Sequence, residues 1–375
     1  MTVKSGLFGC VIVAAIVSVA ARSQVEPRQF DRAVNLEDEG VTSANASVGD
    51  LDGDGDLDIV LARGRHWPLF NRVLENDGQG RFTAADLGDA ADRTYSGLLT
   101  DLEGDGDLDV VVSNDNPDEK LTYRNDGSGR FERWGTWGEA DWPTRNAAVA
   151  DLNGDQRPDV IAANRQAASQ VCLNDGRGGF PRDACTALST ESATSIVPAD
   201  FNGDGTVDLA VPHRDGGQSH IHLNDGAATF ATRVPFGPSD SAARTAAAGD
   251  LDGDGDIDLV VGDQRQGVFA YLNDGNAVFG AGIALGDASL APYSIAVLDM
   301  NRDGSSDVVV GYDQAPGAVF FNDGAAGFAG AVRFGDGQGA AYGTALGDLD
   351  GDGFPDIAVG RSGAPNVVYF SGRVR

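Results

Sequence analysis

One acidic motif recurs seven times along this chain at nearly constant spacing. The copies begin at Asp50 (DLDGDGDLD), Asp101 (DLEGDGDLD), Asp151 (DLNGDQRPD), Asp200 (DFNGDGTVD), Asp250 (DLDGDGDID), Asp299 (DMNRDGSSD) and Asp348 (DLDGDGFPD). Successive first aspartates stand 49 to 51 residues apart. A period of that size marks a repeated supersecondary unit that buries its apolar face against its neighbours. It outweighs the two or three domains that 375 residues would otherwise suggest.

Each unit reads as four short strands. The acidic loop ends in a β-branched run such as Asp58-Ile59-Val60-Leu61 or Asp307-Val308-Val309-Val310, the composition of a fully buried strand. A further strand ends in Asn-Asp-Gly, at Asn76, Asn125, Asn174, Asn224, Asn273 and Asn322, which signals a hairpin turn. A phenylalanine follows (Phe82, Phe131, Phe180, Phe230, Phe279, Phe328) and opens another strand. A strand of small residues, such as Ala44–Gly49 or Ala246–Gly249, leads into the next acidic loop. Helical periodicity is missing throughout. Four antiparallel strands repeated seven times predict an all-β, seven-bladed β-propeller, with the small-residue strand innermost where space is tight.

The ends predict closure. The last unit stops near Val368–Gly372 without its fourth strand, and Phe30 stands where the fourth-strand phenylalanine belongs. Residues 28–36 are therefore expected to complete the last blade, so that the propeller is one domain spanning 28–375 and no edge strand is left open.

The acidic loops are expected to hold calcium. Counted from the first aspartate, positions 1, 3, 5 and 9 carry side-chain oxygens in every copy: Asp50, Asp52, Asp54 and Asp58; Asp101, Glu103, Asp105 and Asp109; Asp151, Asn153, Asp155 and Asp159; Asp200, Asn202, Asp204 and Asp208; Asp250, Asp252, Asp254 and Asp258; Asp299, Asn301, Asp303 and Asp307; Asp348, Asp350, Asp352 and Asp356. Position 7 varies (Asp56, Asp107, Arg157, Thr206, Asp256, Ser305, Phe354), as a backbone carbonyl ligand would permit. An all-protein oxygen set favours Ca2+ over Mg2+, with up to seven ions, one per blade. The loops starting at Asp50, Asp101, Asp250 and Asp348 hold the most carboxylates and should bind tightest; Gln156 and Arg157 in one loop, and Arg302 in another, point to weaker sites. The seven loops contain 28 of the 57 acidic residues, so the net charge of −30 is concentrated where a cation would neutralise it. A charge of that sign excludes nucleic acid as a partner.

DxDGDGxxD followed by a buried strand resembles the FG-GAP/VCBS repeats of secreted propellers, including the integrin α-chain head. The resemblance spans nearly the whole mature chain. It implies the propeller fold and calcium. Members serve as adhesion heads, lectins and non-catalytic modules of secreted enzymes, and no catalytic set carries over with the motif.

Lys4 followed by an apolar run from Leu7 to Ala21 reads as a secretory signal peptide over residues 1–21, with a short segment at 22–27 before the propeller. The run is too short to favour a permanent membrane span, and the protein is expected to be secreted and monomeric. Of the remaining cysteines, Cys172 and Cys185 suit a disulfide in an exported protein, although a register centred on their hairpin turn would not set them opposite each other.

Acidic loops and Asn-Asp-Gly turns should share one end of the propeller, which directs the search for a ligand to the other end. Trp67, Trp134, Trp137 and Trp142 are placed there as candidates for stacking on sugar or protein, or as packing between blades. Six residues before each first aspartate stand Ala44, Tyr95, Arg145, Thr194, Arg244, Tyr293 and Tyr342, a ring suited to an anionic or sugar ligand, or to closing the channel by packing. His220 and His222 share a strand face and read as surface histidines rather than a zinc site. No catalytic residues can be picked out. The sequence thus points to an extracellular module binding glycan or protein, with a polysaccharide lyase or hydrolase working through the central funnel as the rival.

Overall fold

The computed structural model describes residues 28–328 and 330–374. The expected signal peptide and the segment 22–27 lie outside them. Among the described residues the chain is all β, with one 3-10 turn at Arg182–Ala184 and no helix long and apolar enough to cross a membrane.

Strand β1 (Arg28–Asn35) precedes the repeats. The first unit holds β2 (Val41–Gly49), β3 (Asp58–Arg63), β4 (Leu69–Asn76) and β5 (Phe82–Asp92); the second β6 (Thr94–Thr100), β7 (Asp109–Asn114), β8 (Lys120–Asn125) and β9 (Phe131–Trp137). The third holds β10 (Thr144–Ala150), β11 (Asp159–Asn164), β12 (Ser169–Cys172) and β13 (Cys185–Ser189); the fourth β14 (Val197–Ala199), β15 (Asp208–Val211), β16 (Gly217–Leu223) and β17 (Thr232–Ser241). The fifth holds β18 (Ala243–Gly249), β19 (Asp258–Asp263), β20 (Gly267–Tyr271) and β21 (Ile283–Leu285); the sixth β22 (Pro292–Leu298), β23 (Asp307–Tyr312), β24 (Gly317–Phe320) and β25 (Val332–Phe334). The seventh has β26 (Ala340–Gly347), β27 (Asp356–Ala364) and β28 (Val367–Arg373). Within units, neighbouring strands pair antiparallel, which makes the chain a propeller of four-stranded blades.

The pairing does not give seven separate sheets. Five sheets have four strands, and the remaining eight strands form one sheet. The reason is β27, which runs nine residues where β3, β7, β11, β19 and β23 run six. Its far end reaches the first unit, setting Ala364 opposite Val41 and Ser362 opposite Thr42.

As expected, β1 completes the last unit by pairing with β28, Ala33 opposite Tyr369 and Val34 opposite Val368. The register shifts between Gln29, opposite Gly372, and Arg32, opposite Phe370, so that Phe30 and Asp31 fall in a bulge. Phe30 is buried with Met300, Phe334 and Tyr369. Arg32 stacks 3.8 Å over the Phe370 ring and pairs with Asp350 at 2.6 Å.

The core is a set of seams between consecutive units. Val60, Val73 and Leu87 of the first unit meet Val110, Val112 and Tyr123 of the second. The series closes where Ile59, Leu61 and Leu74 pack on Ala358, Val368 and Phe370. The second strand of a unit is buried along its length because both faces meet a neighbouring sheet. First strands lie side by side in the cyclic order β2, β6, β10, β14, β18, β22, β26 and back to β2. Space there is tight: a methyl group on Gly343 would stand 2.4 Å from the Asn45 Cα.

Cys172 and Cys185 face each other and form a disulfide. In the first two units the Asn of Asn-Asp-Gly pairs with the phenylalanine six residues on. In the third, the 3-10 turn takes up three extra residues, and the shifted register sets the cysteines opposite one another.

Candidate functional site

In every acidic loop, position 2 is a buried apolar residue (Leu51, Leu102, Leu152, Phe201, Leu251, Met300 or Leu349) that anchors the turn in a seam. The first aspartate then folds the loop around its carboxylate. Asp50 accepts the backbone N–H groups of Gly53 at 2.8 Å and Gly55 at 3.1 Å, and Asp250 those of Gly253 at 2.7 Å and Gly255 at 3.2 Å.

Position 9 staples the loop to the blade. Asp58 accepts Leu51 N–H at 2.9 Å and Asn76 N–H at 2.8 Å; Asp258 accepts Leu251 and Asn273, both at 2.8 Å; Asp356 accepts Leu349 at 2.9 Å and Ser371 at 2.7 Å. Asp109, Asp159, Asp208 and Asp307 repeat the pattern. Burial pushes these carboxyls up, to about 6 for Asp58, Asp159 and Asp258 and about 7 for Asp307 and Asp356, against the pull of the two backbone donors.

Carboxylate oxygens converge in four loops, within 4.8 Å of one another: Asp50, Asp52 and Asp58; Asp101, Glu103 and Asp109; Asp250, Asp252 and Asp254; Asp348, Asp350 and Asp356. These are the loops richest in carboxylate. Like charges so close repel unless protonated or bridged by a cation, so the donor set fits a hard dication. Burial and the neighbouring Asp109 push Glu103 up to about 7. Three further loops carry Asn153, Asn202 and Asn301, whose amides turn to Asp155, Asp204 and Asp303 at 3.1, 2.8 and 3.1 Å. Arginines reach some loops too: Arg124 pairs with Glu103 and Asp105, and Arg28 with Asp352 at 3.3 Å. Gln156 and Arg302 take φ of 66° and 59°, where other copies have glycine.

The acidic loop and the Asn-Asp-Gly turn of a unit do share an end. A methyl group on Gly78 would lie 2.2 Å from an Asp56 carboxylate oxygen. Position 7 thus packs over the turn. The asparagine of the turn has a role that the sequence reading missed. Its side-chain amide donates within the unit and across to the preceding unit: Asn125 to the Leu108 and Leu51 carbonyls at 3.1 and 2.7 Å, Asn224 to Val207 and Leu152 at 2.9 and 2.8 Å. The period could have revealed this clasp, because asparagine stands at that place in six units and Ser371 in the seventh.

At the other end of the first strands, some 20 Å away at 3.3 Å per residue, all seven residues of the expected ring line one cavity of about 170 Å³. These are Ala44, Tyr95, Arg145, Thr194, Arg244, Tyr293 and Tyr342. In six units the pairing with the second strand skips this residue, between Ser43 and Asn45, Thr94 and Ser96, Thr144 and Asn146, Ala243 and Thr245, Pro292 and Ser294, and Ala341 and Gly343. A bulge frees each residue from the ladder and re-aims its side chain.

Arg65, His66 and Arg165 also line the cavity and were not anticipated. The period held their signal. Fourteen or fifteen residues after each first aspartate stand Arg65, Asp115, Arg165, Arg214, Gln264, Gln314 and Ser362, a second polar set. Arg145 pairs with Asp115, and Arg165 with Asp215 at 2.8 Å. Arg65 donates to Ser362 at 2.9 Å and lies 3.7 Å over Tyr342. The Arg244 guanidinium sits 4.0 Å from the Tyr293 ring and 4.6 Å from that of Tyr342, which meet edge to face at 4.8 Å. Tyr95 Oη lies 3.0 Å from His66 Nε2, whose Nδ1 lies 3.6 Å from Asp115.

The four tryptophans do not form one exposed group. Trp67 is exposed, but Trp137 is buried and donates to the Val112 carbonyl at 3.1 Å. Trp134 occupies a bulge in β9, which turns it to the same seam, and it lies against Gly178 beside the next Asn-Asp-Gly turn. Trp142 covers Gly138. Three of the four thus fill the seam between the second and third units. His220 and His222 are not surface histidines either: both face Glu191, at 2.9 and 3.2 Å, with Arg233 beside it at 3.1 Å.

A family of FG-GAP-like repeats matches residues 50–112, 101–162, 151–211, 213–261, 250–310 and 299–359. The chain belongs to the FG-GAP-like repeat family. The chain is also 25% identical over 136 residues to a T-cell immunomodulatory protein homolog of Plasmodium yoelii yoelii, a stretch covering 31% of this chain and 19% of that relative. The BP39L lectin of Burkholderia pseudomallei shares the fold with a TM-score of 0.68 at 14% identity, over 88% of this chain and 99% of the lectin. An Agrocybe aegerita lectin, whose structure shows recognition of non-reducing terminal N-acetylglucosamine, matches with a TM-score of 0.59 at 18% identity, over 85% of this chain and 86% of the lectin. At these identities the likeness concerns the fold alone.

Proposed function

We propose that this FG-GAP-like propeller is a secreted, calcium-stabilised binding module that recognises a glycan or protein through the end opposite its acidic loops. In this reading the eight-stranded sheet is two blades joined at the contact of β2 with β27, so the ring has seven blades and acts as a monomer. The observation that carries the binding role is the single cavity into which six bulges and Thr194 direct side chains. Bulges are over-represented beside sites, where they re-aim a side chain, and five of these six aim a tyrosine or an arginine into the cavity. Two lectins with this fold support a saccharide as ligand. Calcium at the four carboxylate clusters would offset their repulsion and hold the turns in shape.

The second reading, a carbohydrate-active enzyme, has one observation in its favour, the chain from Tyr95 through His66 to Asp115. Burial pushes the Tyr95 phenol up and the His66 imidazole down. A phenol so placed holds its proton, which favours binding over base catalysis. A glycan array run with and without chelator, with assay of the bound glycan for cleavage, tests both. Binding without new chain ends supports the module; depolymerised sugar overturns it.

A further inference from the structure

We infer that the central cavity is an anion subsite, taking the carboxylate or sulfate of an acidic saccharide. The inference rests on this end of the propeller being the binding end. The chain carries a net charge of −30, yet four arginines line this one cavity and Arg214 stands beside them. Asp115 and Asp215 neutralise Arg145 and Arg165. Arg65, Arg214 and Arg244 form no ion pair with a carboxylate among the described residues: Arg65 donates to Ser362, Arg214 to Gln264, and Arg244 has two tyrosine faces and an Nε without an acceptor.

Arg244 is half-buried at the cavity wall, with its Nε out of water and without an acceptor, and an anion in the cavity would give its guanidinium the charged acceptor it lacks. A guanidinium fork matches carboxylate or sulfate geometry, and the Tyr293 and Tyr342 rings fix the Arg244 guanidinium at the cavity without neutralising it. A cavity of about 170 Å³ lies below the roughly 300 Å³ at which drug-sized pockets begin. The occupant is therefore one charged sugar unit or the end of a chain.

Calorimetric titration of the intact protein with galacturonic acid, glucuronic acid, glucose and inorganic sulfate tests this. The expected result is that a uronate binds at least about ten-fold tighter than glucose, weakens with salt, and loses about ten-fold or more in Arg244→Gln. Arg65→Gln, on a different unit of the cavity wall, should weaken it too and guards against misfolding in the first variant; the melting temperature of each is recorded. Glucose binding as well as the uronates, no binding of any probe, or full binding in both variants overturns the inference. Sulfate binding as tightly as the uronates overturns its saccharide part. Neutral glycans captured on the array with Arg244→Gln unaffected would sink the subsite and leave the binding module standing. An empty array would sink the module, while the uronate titration still reads the subsite.

Discussion

The side-chain amide of Asn76 lies 2.9 Å from the carbonyl oxygen of Leu349 and donates a hydrogen bond to it. The two residues are 273 positions apart in the chain. This bond ties the first unit to the acidic loop of the last, and the same bond recurs at Asn125, Asn174, Asn224, Asn273 and Asn322 toward the preceding loop. The last unit has Ser371 instead, which accepts from Arg28 at 2.8 Å, so β1 fastens the unit that lacks the clasp.

Removing a clasp should leave two carbonyls without their donor. Asn224→Ala strands the carbonyls of Leu152 and Val207, the first in a buried place, at a cost of about 1–3 kcal/mol. Equilibrium urea unfolding checks this. Asn76→Ala should cost at least as much, because it also loosens the closing seam. A midpoint unchanged in both would mean that the asparagines serve the turn alone.

Position 9 should be less forgiving. In Asp258→Ala the N–H groups of Leu251 and Asn273 both lose their acceptor in a buried place. Two stranded donors cost roughly 2–5 kcal/mol. Asp254→Ala, at an exposed position of the same loop, should cost far less in the presence of chelator. Thermal melts of the two variants in chelator rank them, and equal losses would contradict a stapling role for Asp258.

The repeat period made the strands legible because each unit buries the same positions, and the fourth-strand role of Phe30 followed from the same bookkeeping. What escaped was information carried by contacts between units. Asn76 in a turn reads as a turn residue, since nothing local shows that its amide points at Leu349. Tyr95 and its equivalents were found by their position, but the bulges that aim them come from pairing and leave no mark in composition. Trp134 read as part of the connection after the second unit but lies inside β9, where a bulge turns it into the seam. The nine-residue β27 merged two expected sheets because its extra length pairs with β2, a partner more than 300 residues away. Arg65, Arg165 and Arg214 were legible in principle, at a fixed distance after each acidic loop, but single arginines at strand ends look like ordinary surface charge.

Asp215 predicts a pH dependence. The hydrogen bond from Arg165 and that from Ser192 outweigh partial burial and hold its carboxyl at about 2. A carboxyl depressed in the folded state stabilises above its unfolded value near 4 and loses that contribution as pH falls toward 2. The stability advantage of the native protein over Asp215→Asn should therefore be full at pH 5 and fade between about pH 4 and pH 2. Because the pair is partly exposed, the advantage should be about 1 kcal/mol. Urea unfolding at several pH values reads it. An advantage that does not change with pH would show that Asn replaces the carboxylate's hydrogen bonds without loss of charge-dependent energy.

Calcium removal should be the largest single perturbation. Four loops bring three carboxylates together, and three carry an asparagine in place of one of them. Calcium titration should therefore show a tight class of four ions, from the loops at Asp50, Asp101, Asp250 and Asp348, and a weaker class from the rest. Each site filled at about a hundred times its dissociation constant adds about 2.7 kcal/mol to folding, so chelation should lower the melting temperature substantially. In the Asp151 loop Gln156 holds φ at 66°, which costs about 1–3 kcal/mol for a residue with a side chain. Gln156→Gly should relieve that cost, read as a higher melting temperature both in calcium and in chelator. A melt indifferent to both chelator and calcium would refute a structural role for the metal and leave the acidic loops as hydrogen-bonded turns held by Asp50, Asp58 and their equivalents.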